Sequence, residues 1–85
     1  MKINPFALMH EEFDHTGIVF NPDNNKVMTL NKSAVLLWKA FEKGFSLDEA
    51  AMQVVEAFEV DFEQARSDAG KFAALLCEKN LLSMD

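Results

Sequence analysis

The sequence is poor in several residue types, and each shortage argues against a class of protein. Cys77 is the sole cysteine, so the chain cannot form an internal disulfide, and nothing points to an oxidising compartment. Only eight lysines and arginines stand against 14 acidic residues, and the net charge of −6 argues against binding to nucleic-acid phosphates. No apolar run is long enough for a signal peptide or a membrane span. We therefore expect a cytoplasmic protein that binds neither nucleic acid nor membrane.

What the sequence does contain is enough apolar material for one small core. Hydrophobic residues fill 49% of the 85 positions, and they include eight phenylalanines and the single tryptophan, Trp38. A disordered chain carries far fewer such residues. Because no linker, repeat or low-complexity segment interrupts the sequence, we expect a single domain over residues 1–85.

The first 30 residues are typical of β-structure. Strands are predicted at Phe6–Phe13, Gly17–Phe20 and Lys26–Leu30, with turns at 14–17 and 21–25. Such short connections favour an antiparallel meander, in which the first and third strands are the edges. An edge strand exposes unpaired amide and carbonyl groups that another chain can complete.

Helical spacing begins directly after the third strand, with only Asn31 at the junction. Asn31 is suited to cap a first helix that ends near Lys43, before Gly44. Its apolar stripe consists of Ala34, Leu37, Trp38 and Phe41. So tight a junction would hold the third strand rigidly against the helices.

Two further helices are predicted from capping residues and apolar spacing. Ser46 and Glu49 form a capping box for the second, and Asp61 is expected to cap a third that ends near Asn80. Leu81 and Leu82 are expected to fold back onto the core. The predicted buried stripes are Leu47, Ala50, Ala51, Val54 and Phe58 in the second helix, and Ala65, Ala69, Phe72 and Leu76 in the third. The result is an α+β, winged helix-turn-helix fold with a three-stranded antiparallel sheet followed by three helices.

The segment His10–His15 is the strongest candidate for chemistry, but its spacing is wrong. The zinc-protease motif H-E-x-x-H needs a second histidine at position 14, where this chain has Asp14. In a strand, His10, Glu12 and Asp14 would share a face, yet no further histidine or cysteine completes a firm metal site. Cys77 has no partner that would activate its thiol. We therefore expect no catalysis, no metal and no cofactor.

The order of motifs along the chain carries a family resemblance. Pro22–Asp23 lies in a turn, Leu30–Asn31 joins strand to helix, and the close runs from Asp68 to Leu82. Between them come Ala34, Leu37, Trp38, Gly44, Ser46 and Glu49. This ordered set resembles the PqqD-like family of RiPP recognition elements, which are small leader-peptide-binding domains. The sequence departs from the family pattern at Ala69 and Ala73, which replace bulkier aliphatic residues, and at Asn80, where glycine is usual.

The resemblance implies a function as well as a fold. Domains of this family are not catalytic; they bind the leader segment of a ribosomally made precursor peptide and present it to a modifying enzyme, often a radical SAM enzyme. The leader adds as a strand beside the third strand, in the groove between that strand and the third helix. The free edge at Lys26–Leu30 agrees with this mode of strand addition.

The third helix offers a flank of small residues beside its predicted core stripe. Arg66, Gly70, Ala73 and Cys77 lie on this flank, and three of the four are small enough for close backbone approach. Gly70 alternatively serves only to let two helices pack. The predicted peptide-binding residues are Lys26, Val27, Met28, Thr29, Leu30, Arg66, Gly70, Ala73 and Cys77.

Two other functions are compatible with a winged-helix pattern. A DNA-binding protein would need basic residues on its recognition helix, but the segment Ser46–Phe58 contains no lysine or arginine. A general interaction module that binds a folded partner is harder to distinguish by sequence. The partners that we expect are a leader peptide and a radical SAM or other peptide-modifying enzyme.

Overall fold

Alternating residues at the start of the chain and helical spacing after Asn31 produce two sheets and three helices. The computed structural model describes residues 1–83. The strands are β1 (Lys2–Ile3), β2 (Leu8–Glu11), β3 (Gly17–Asn21), β4 (Lys26–Leu30) and β5 (Leu82–Ser83). The helices are α1 (Lys32–Glu42), α2 (Leu47–Phe58) and α3 (Phe62–Glu78), and none within residues 1–83 is long and apolar enough to cross a membrane. The predicted α+β arrangement of a three-stranded antiparallel sheet and three helices is confirmed.

The larger sheet has the spatial order β2-β3-β4, so β2 and β4 are its edges, as predicted. Both pairs are antiparallel, and Leu8, Phe20 and Val27 stand opposite one another across the three strands. The first strand is shorter than the predicted Phe6–Phe13, because Glu12–Thr16 forms the hairpin loop, with a hydrogen bond of 2.7 Å from Glu12 N to Thr16 O. Glu12 and Asp14 therefore do not share a strand face with His10.

A second, two-stranded sheet was not predicted. β1 pairs antiparallel with β5, and Asn4 N donates to Leu81 O at 2.9 Å just beyond the pair. Leu81 and Leu82 are buried, which confirms that they fold back onto the core. Asn80, with a φ of 60°, supplies the left-handed residue that turns the chain after α3.

The helix starts follow their local capping signals. Asn31 Oδ1 accepts from Ala34 N at 2.8 Å, and Ser46 and Glu49 form the complete capping box. Asp61 stands at the start of α3, but its side chain makes no cap hydrogen bond. Gly44, with a φ of 83°, follows the end of α1 and adopts a left-handed conformation that other residues rarely reach.

The core lies between the inner face of the larger sheet and the three helices. Val19 and Leu30 from the sheet are buried with Val35, Trp38 and Phe41 of α1. At Gly17 the sheet approaches α1 so closely that a Cβ atom would lie 2.9 Å from Val35 Cγ2. Trp38 is fully buried, which confirms its place in the core, and no hydrogen-bond partner for its Nε1 occurs within residues 1–83.

Two predicted buried stripes need correction. Phe58 at the end of α2 is 40% exposed, so it is not a core residue. In α3, Ala73 is buried beside Ala65, Ala69 and Leu76, whereas Phe72 is only partly buried and stacks on Phe41 with ring centroids 6.3 Å apart. The core-facing side of α3 therefore includes Ala73, which the sequence had placed on a flank outside the core.

Candidate functional site

β4 offers a free backbone edge. Its one neighbour in the sheet is β3, and no strand within residues 1–83 pairs with its other side. Met28 and Leu30 face the core, while Val27 and Thr29 are exposed on the opposite face of the sheet. Because the amide and carbonyl groups of an antiparallel strand alternate in direction, alternate residues of β4 point theirs away from β3. Another extended chain can accept and donate hydrogen bonds there.

A cavity of about 400 Å³ opens where β4 passes into α1. Three helices meet around it. Its apolar side chains come from α1, α2 and the residues just after α2, and its polar ones come from the start of α1 and from α3. The residues that line it are Asn31, Lys32, Ser33, Leu37, Val54, Phe58, Val60, Gln64 and Asp68. The exposed part of Phe58 belongs to this wall, so the residue that the sequence assigned to the core instead borders a cavity.

The cavity identifies which side of α3 is closest to the end of β4. Gln64 and Asp68 lie there, joined by a hydrogen bond of 2.9 Å from Gln64 Nε2 to Asp68 Oδ1. Arg66 stands two residues from each, which is about 200° around the helix. Its Nε donates to Asp48 Oδ1 of α2 at 2.5 Å. Arg66 is therefore turned toward the first turn of α2, whereas Gln64 and Asp68 border the cavity, which Val54 and Phe58 line from later in α2.

The structure does not bring the four predicted α3 residues together as a groove wall. Ala73 is buried in the core, and Cys77 is partly buried against the core. Arg66 and Gly70 do lie together, in an open pocket of about 570 Å³ along α3, and a Cβ added at Gly70 would meet only Arg66 Nη1, at 3.5 Å. A role for Arg66, Gly70 or Cys77 in peptide binding stays a prediction.

Sequence reasoning missed Gln64, Asp68 and the cavity-facing part of Phe58. The helical wheel of α3 has two flanks at equal distance from its core stripe, and the small residues favoured one of them. The charge pattern held a signal about the orientation of α3. Asp48 is the first acidic residue of α2, and Arg66 is the first basic residue after it. An ion pair between neighbouring helices would have assigned the Arg66 flank to α2.

Comparison with known proteins identifies the family. The model of the family described as coenzyme PQQ synthesis protein D (PqqD) matches residues 16–82. The chain belongs to the PqqD family. The match begins one residue before β3 and includes β4, the three helices and the start of β5. No curated protein matches the chain in sequence.

Two solved structures share the fold of this PqqD-family chain. TbiB1, in a complex with the TbiA(beta) leader peptide, superposes with a TM-score of 0.86 at 20% identity, over 100% of this chain and 98% of TbiB1. Lasso peptide synthetase B1, also complexed with a leader peptide, gives a TM-score of 0.79 at 19% identity, over 99% and 96% of the two chains. At these identities the likeness establishes the fold.

The junction between β4 and α1 in this PqqD-family chain is fixed by one side chain. Asn31 Oδ1 accepts hydrogen bonds from Ala34 N at 2.8 Å and from Ser33 Oγ at 3.0 Å. Leu30, the residue before it, is buried. The edge of β4 and the cavity beside it are therefore held in a defined relation by local bonds, which lowers the ordering cost of binding.

The opposite edge of the sheet is held by charged groups. Glu11 of β2 pairs with Lys39 of α1 and, at 3.0 Å, with His15 Nδ1. The hydrogen bond from Lys39, followed by that from His15, lowers the pKa of the Glu11 carboxyl below its usual value. Thr16 lowers the pKa of Asp14 in the hairpin loop in the same way. Within residues 1–83, no three histidine, cysteine or acidic side chains are grouped to hold a metal ion.

Proposed function

We propose that this PqqD-family chain is a RiPP recognition element. It binds the leader segment of a ribosomally made precursor peptide as a strand on β4 and presents that peptide to a modifying enzyme of the radical SAM or another class. The chain itself is the binding component and carries out no catalysis. It works in the cytoplasm, where precursor peptides are made.

The observation that carries this proposal is the free edge of β4 beside a cavity. A strand added to β4 would point every second side chain inward, in the same direction as Met28 and Leu30. At the end of β4 this direction leads toward the cavity, whose apolar wall includes Leu37, Val54 and Phe58. Backbone hydrogen bonds would supply affinity, and the cavity would select side chains.

The comparisons support the binding of a leader peptide. The family match includes β4 and α3, which are the elements on either side of the proposed site. Both structural neighbours were solved as complexes with leader peptides, and each covers nearly all of this chain. We transfer this binding activity to the present chain as part of the proposal.

A titration tests the proposal. The probe is a synthetic peptide with the leader segment of a candidate precursor encoded near the gene for this chain. We expect a dissociation constant near micromolar or lower, which corresponds to a binding free energy of about −8 kcal/mol or better. Ordering the peptide on binding costs free energy and limits the affinity.

Proline variants of β4 show whether the backbone edge is the site. Thr29 and Met28 are neighbours, so one of their amides faces β3 and the other faces away. Of Thr29→Pro and Met28→Pro, we expect the variant that removes the outward amide to weaken binding while circular dichroism stays unchanged. The other variant should disrupt the sheet. Full affinity in a folded variant that lacks the outward amide would exclude strand addition at this position.

A further inference from the structure

The outer face of the larger sheet carries a single apolar row. Leu8, Phe20 and Val27 stand opposite one another in β2, β3 and β4. They face away from the helices, because the intervening residues Met9, Val19 and Met28 belong to the core or pack against it. The row therefore runs straight across the sheet and ends at the free edge of β4.

Both ends of this row are open. Leu8 is 67% exposed and Val27 is 65% exposed, while Phe20 between them is partly covered. The outer face of an antiparallel sheet that is covered on one side is usually polar. A valine at the end of the row, directly on an unpaired edge, leaves apolar surface where an added strand would lie.

The neighbouring row on the same face differs. It consists of His10, Ile18 and Thr29, so the position next to the β4 edge is polar. The apolar surface on β4 is thus confined to one position of the register, that of Val27. A strand added to β4 would place one residue opposite Val27 and a second, two residues away, opposite Thr29.

We propose that Val27 is an outward-facing specificity determinant for the bound peptide. In the complex, one apolar side chain of the peptide, aliphatic or aromatic, lies beside Val27. It continues the row Leu8–Phe20–Val27 beyond the edge of β4. The peptide position opposite Thr29 carries no such requirement. This inference rests on the proposed function and adds a requirement on the face of the peptide that points away from the cavity.

The inference defines a class of peptide. Its inward-pointing residues are apolar, and so is the one outward-pointing residue that lies beside Val27. Its inward side chains face the cavity and the core side of the sheet, and its outward residue beside Val27 covers the end of the row. Directly opposed residues on one face of an antiparallel pair have Cβ atoms about 5 Å apart, so the two side chains would be in contact. A peptide that strictly alternates apolar and polar residues would place a polar side chain beside Val27 and would lose this contact.

A coupled substitution experiment tests the inference. The probe is the synthetic leader segment used in the titration above, and nuclear Overhauser contacts to Val27 identify the peptide residue opposite it. That residue is then changed to Leu, Ser and Glu, and each peptide is titrated against the parent and against Val27→Thr. Threonine has nearly the shape of valine and keeps its β-branch, so the strand is preserved.

For the parent, we expect the Leu peptide to bind about twofold to fivefold more tightly than the Ser peptide, the range measured for cross-strand pairs. In Val27→Thr this preference should fall to near unity. The matched control is Thr29→Val, which should create a comparable preference for an apolar residue at the peptide position opposite residue 29. A double variant, Val27→Thr with Thr29→Val, should move the preference by two peptide residues.

The outcomes separate the two proposals. If no leader peptide binds to the parent, the proposed function fails and the inference fails with it. A different outcome is that the peptides bind and change the amide chemical shifts along β4 without a preference for Leu, or with the same preference in Val27→Thr. Either result overturns the inference and leaves strand addition standing. A preference that disappears in Val27→Thr and reappears at the position opposite residue 29 in the double variant supports both.

Discussion

Arg66 of α3 donates a hydrogen bond to Asp48 in the first turn of α2, with 2.5 Å between Nε and Oδ1. The pair is largely exposed, and the rotation of α3 on the rest of the protein follows from its buried face, Ala65, Ala69, Ala73 and Leu76. With that face in the core, Arg66 lies on the side of α3 near the first turn of α2, and Gln64 and Asp68 border the cavity at the end of β4. The proposed peptide groove consequently has polar side chains on its α3 wall.

The first prediction compares the two flanks of α3. Asp68→Trp should fill the cavity and weaken binding of the leader peptide about tenfold or more, since exposed positions tolerate the bulk without loss of the fold. Gly70→Trp places the same bulk in the open pocket that Arg66 and Gly70 line, so it tests the flank predicted from the sequence. If the peptide uses the cavity flank, this variant should keep its affinity within about twofold. Isothermal titration of both variants measures the difference. A larger loss in Gly70→Trp would restore the Arg66 flank as the binding surface.

A second prediction concerns the core at Trp38. Its side chain is fully buried, so Trp38→Ala should lower the free energy of unfolding by about 3–5 kcal/mol. Trp38→Phe should cost less, because it retains much of the buried surface and removes an indole N–H that has no partner within residues 1–83. Urea denaturation measures both. Equal losses of unfolding free energy in the two variants would contradict this expectation.

The close approach of β3 to α1 gives a third prediction. Gly17→Ala would place a Cβ 2.9 Å from Val35 Cγ2, so we expect a loss of about 1–3 kcal/mol from overpacking. Adding Val35→Ala should recover part of that loss, which a double-mutant cycle in thermal or urea unfolding would reveal. Gly70→Ala is the matched control, and it should stabilise α3 by up to about 1 kcal/mol. Simple additivity of the two substitutions would contradict the proposed contact.

The fourth prediction is a pH dependence at the β2 edge. Lys39 and His15 lower the pKa of Glu11 in the folded chain below the usual value of 4.5. The ionised carboxylate therefore contributes stability above that value, and the contribution is lost as the pH falls through the lowered pKa. Urea midpoints measured from pH 6 down to about pH 3 should fall more steeply for the parent than for Glu11→Gln. Glu56→Gln on the exposed side of α2 removes the same charge without these contacts and is the control.

Local signals account for what the sequence could predict. The caps at Asn31 and Ser46, the turn residue Asn80 and the strand Lys26–Leu30 depend on neighbours within a few residues, and all four are found as expected. Asp61 begins α3 without a side-chain cap bond, because a suitable residue type does not guarantee the bond.

Features that depend on distant contacts were missed. β1 pairs with β5 from the far end of the sequence, and two-residue strands leave almost no pattern to detect. The rotation of α3 depends on which neighbour each flank meets, and apolar spacing alone placed Phe72 rather than Ala73 on the core stripe. The free edge of β4 was thus predictable, because it follows from strand order, whereas the rotation of α3 was not.

The most direct test of strand addition is amide chemical-shift mapping with the same candidate leader peptide. Strand addition on β4 predicts the largest changes along Lys26–Leu30, with further changes at Gln64 and Asp68. It also predicts that the outward amides of β4 become protected from hydrogen exchange when the peptide binds. Changes confined to α2, with Lys26–Leu30 unaltered and its amides no better protected, would contradict it.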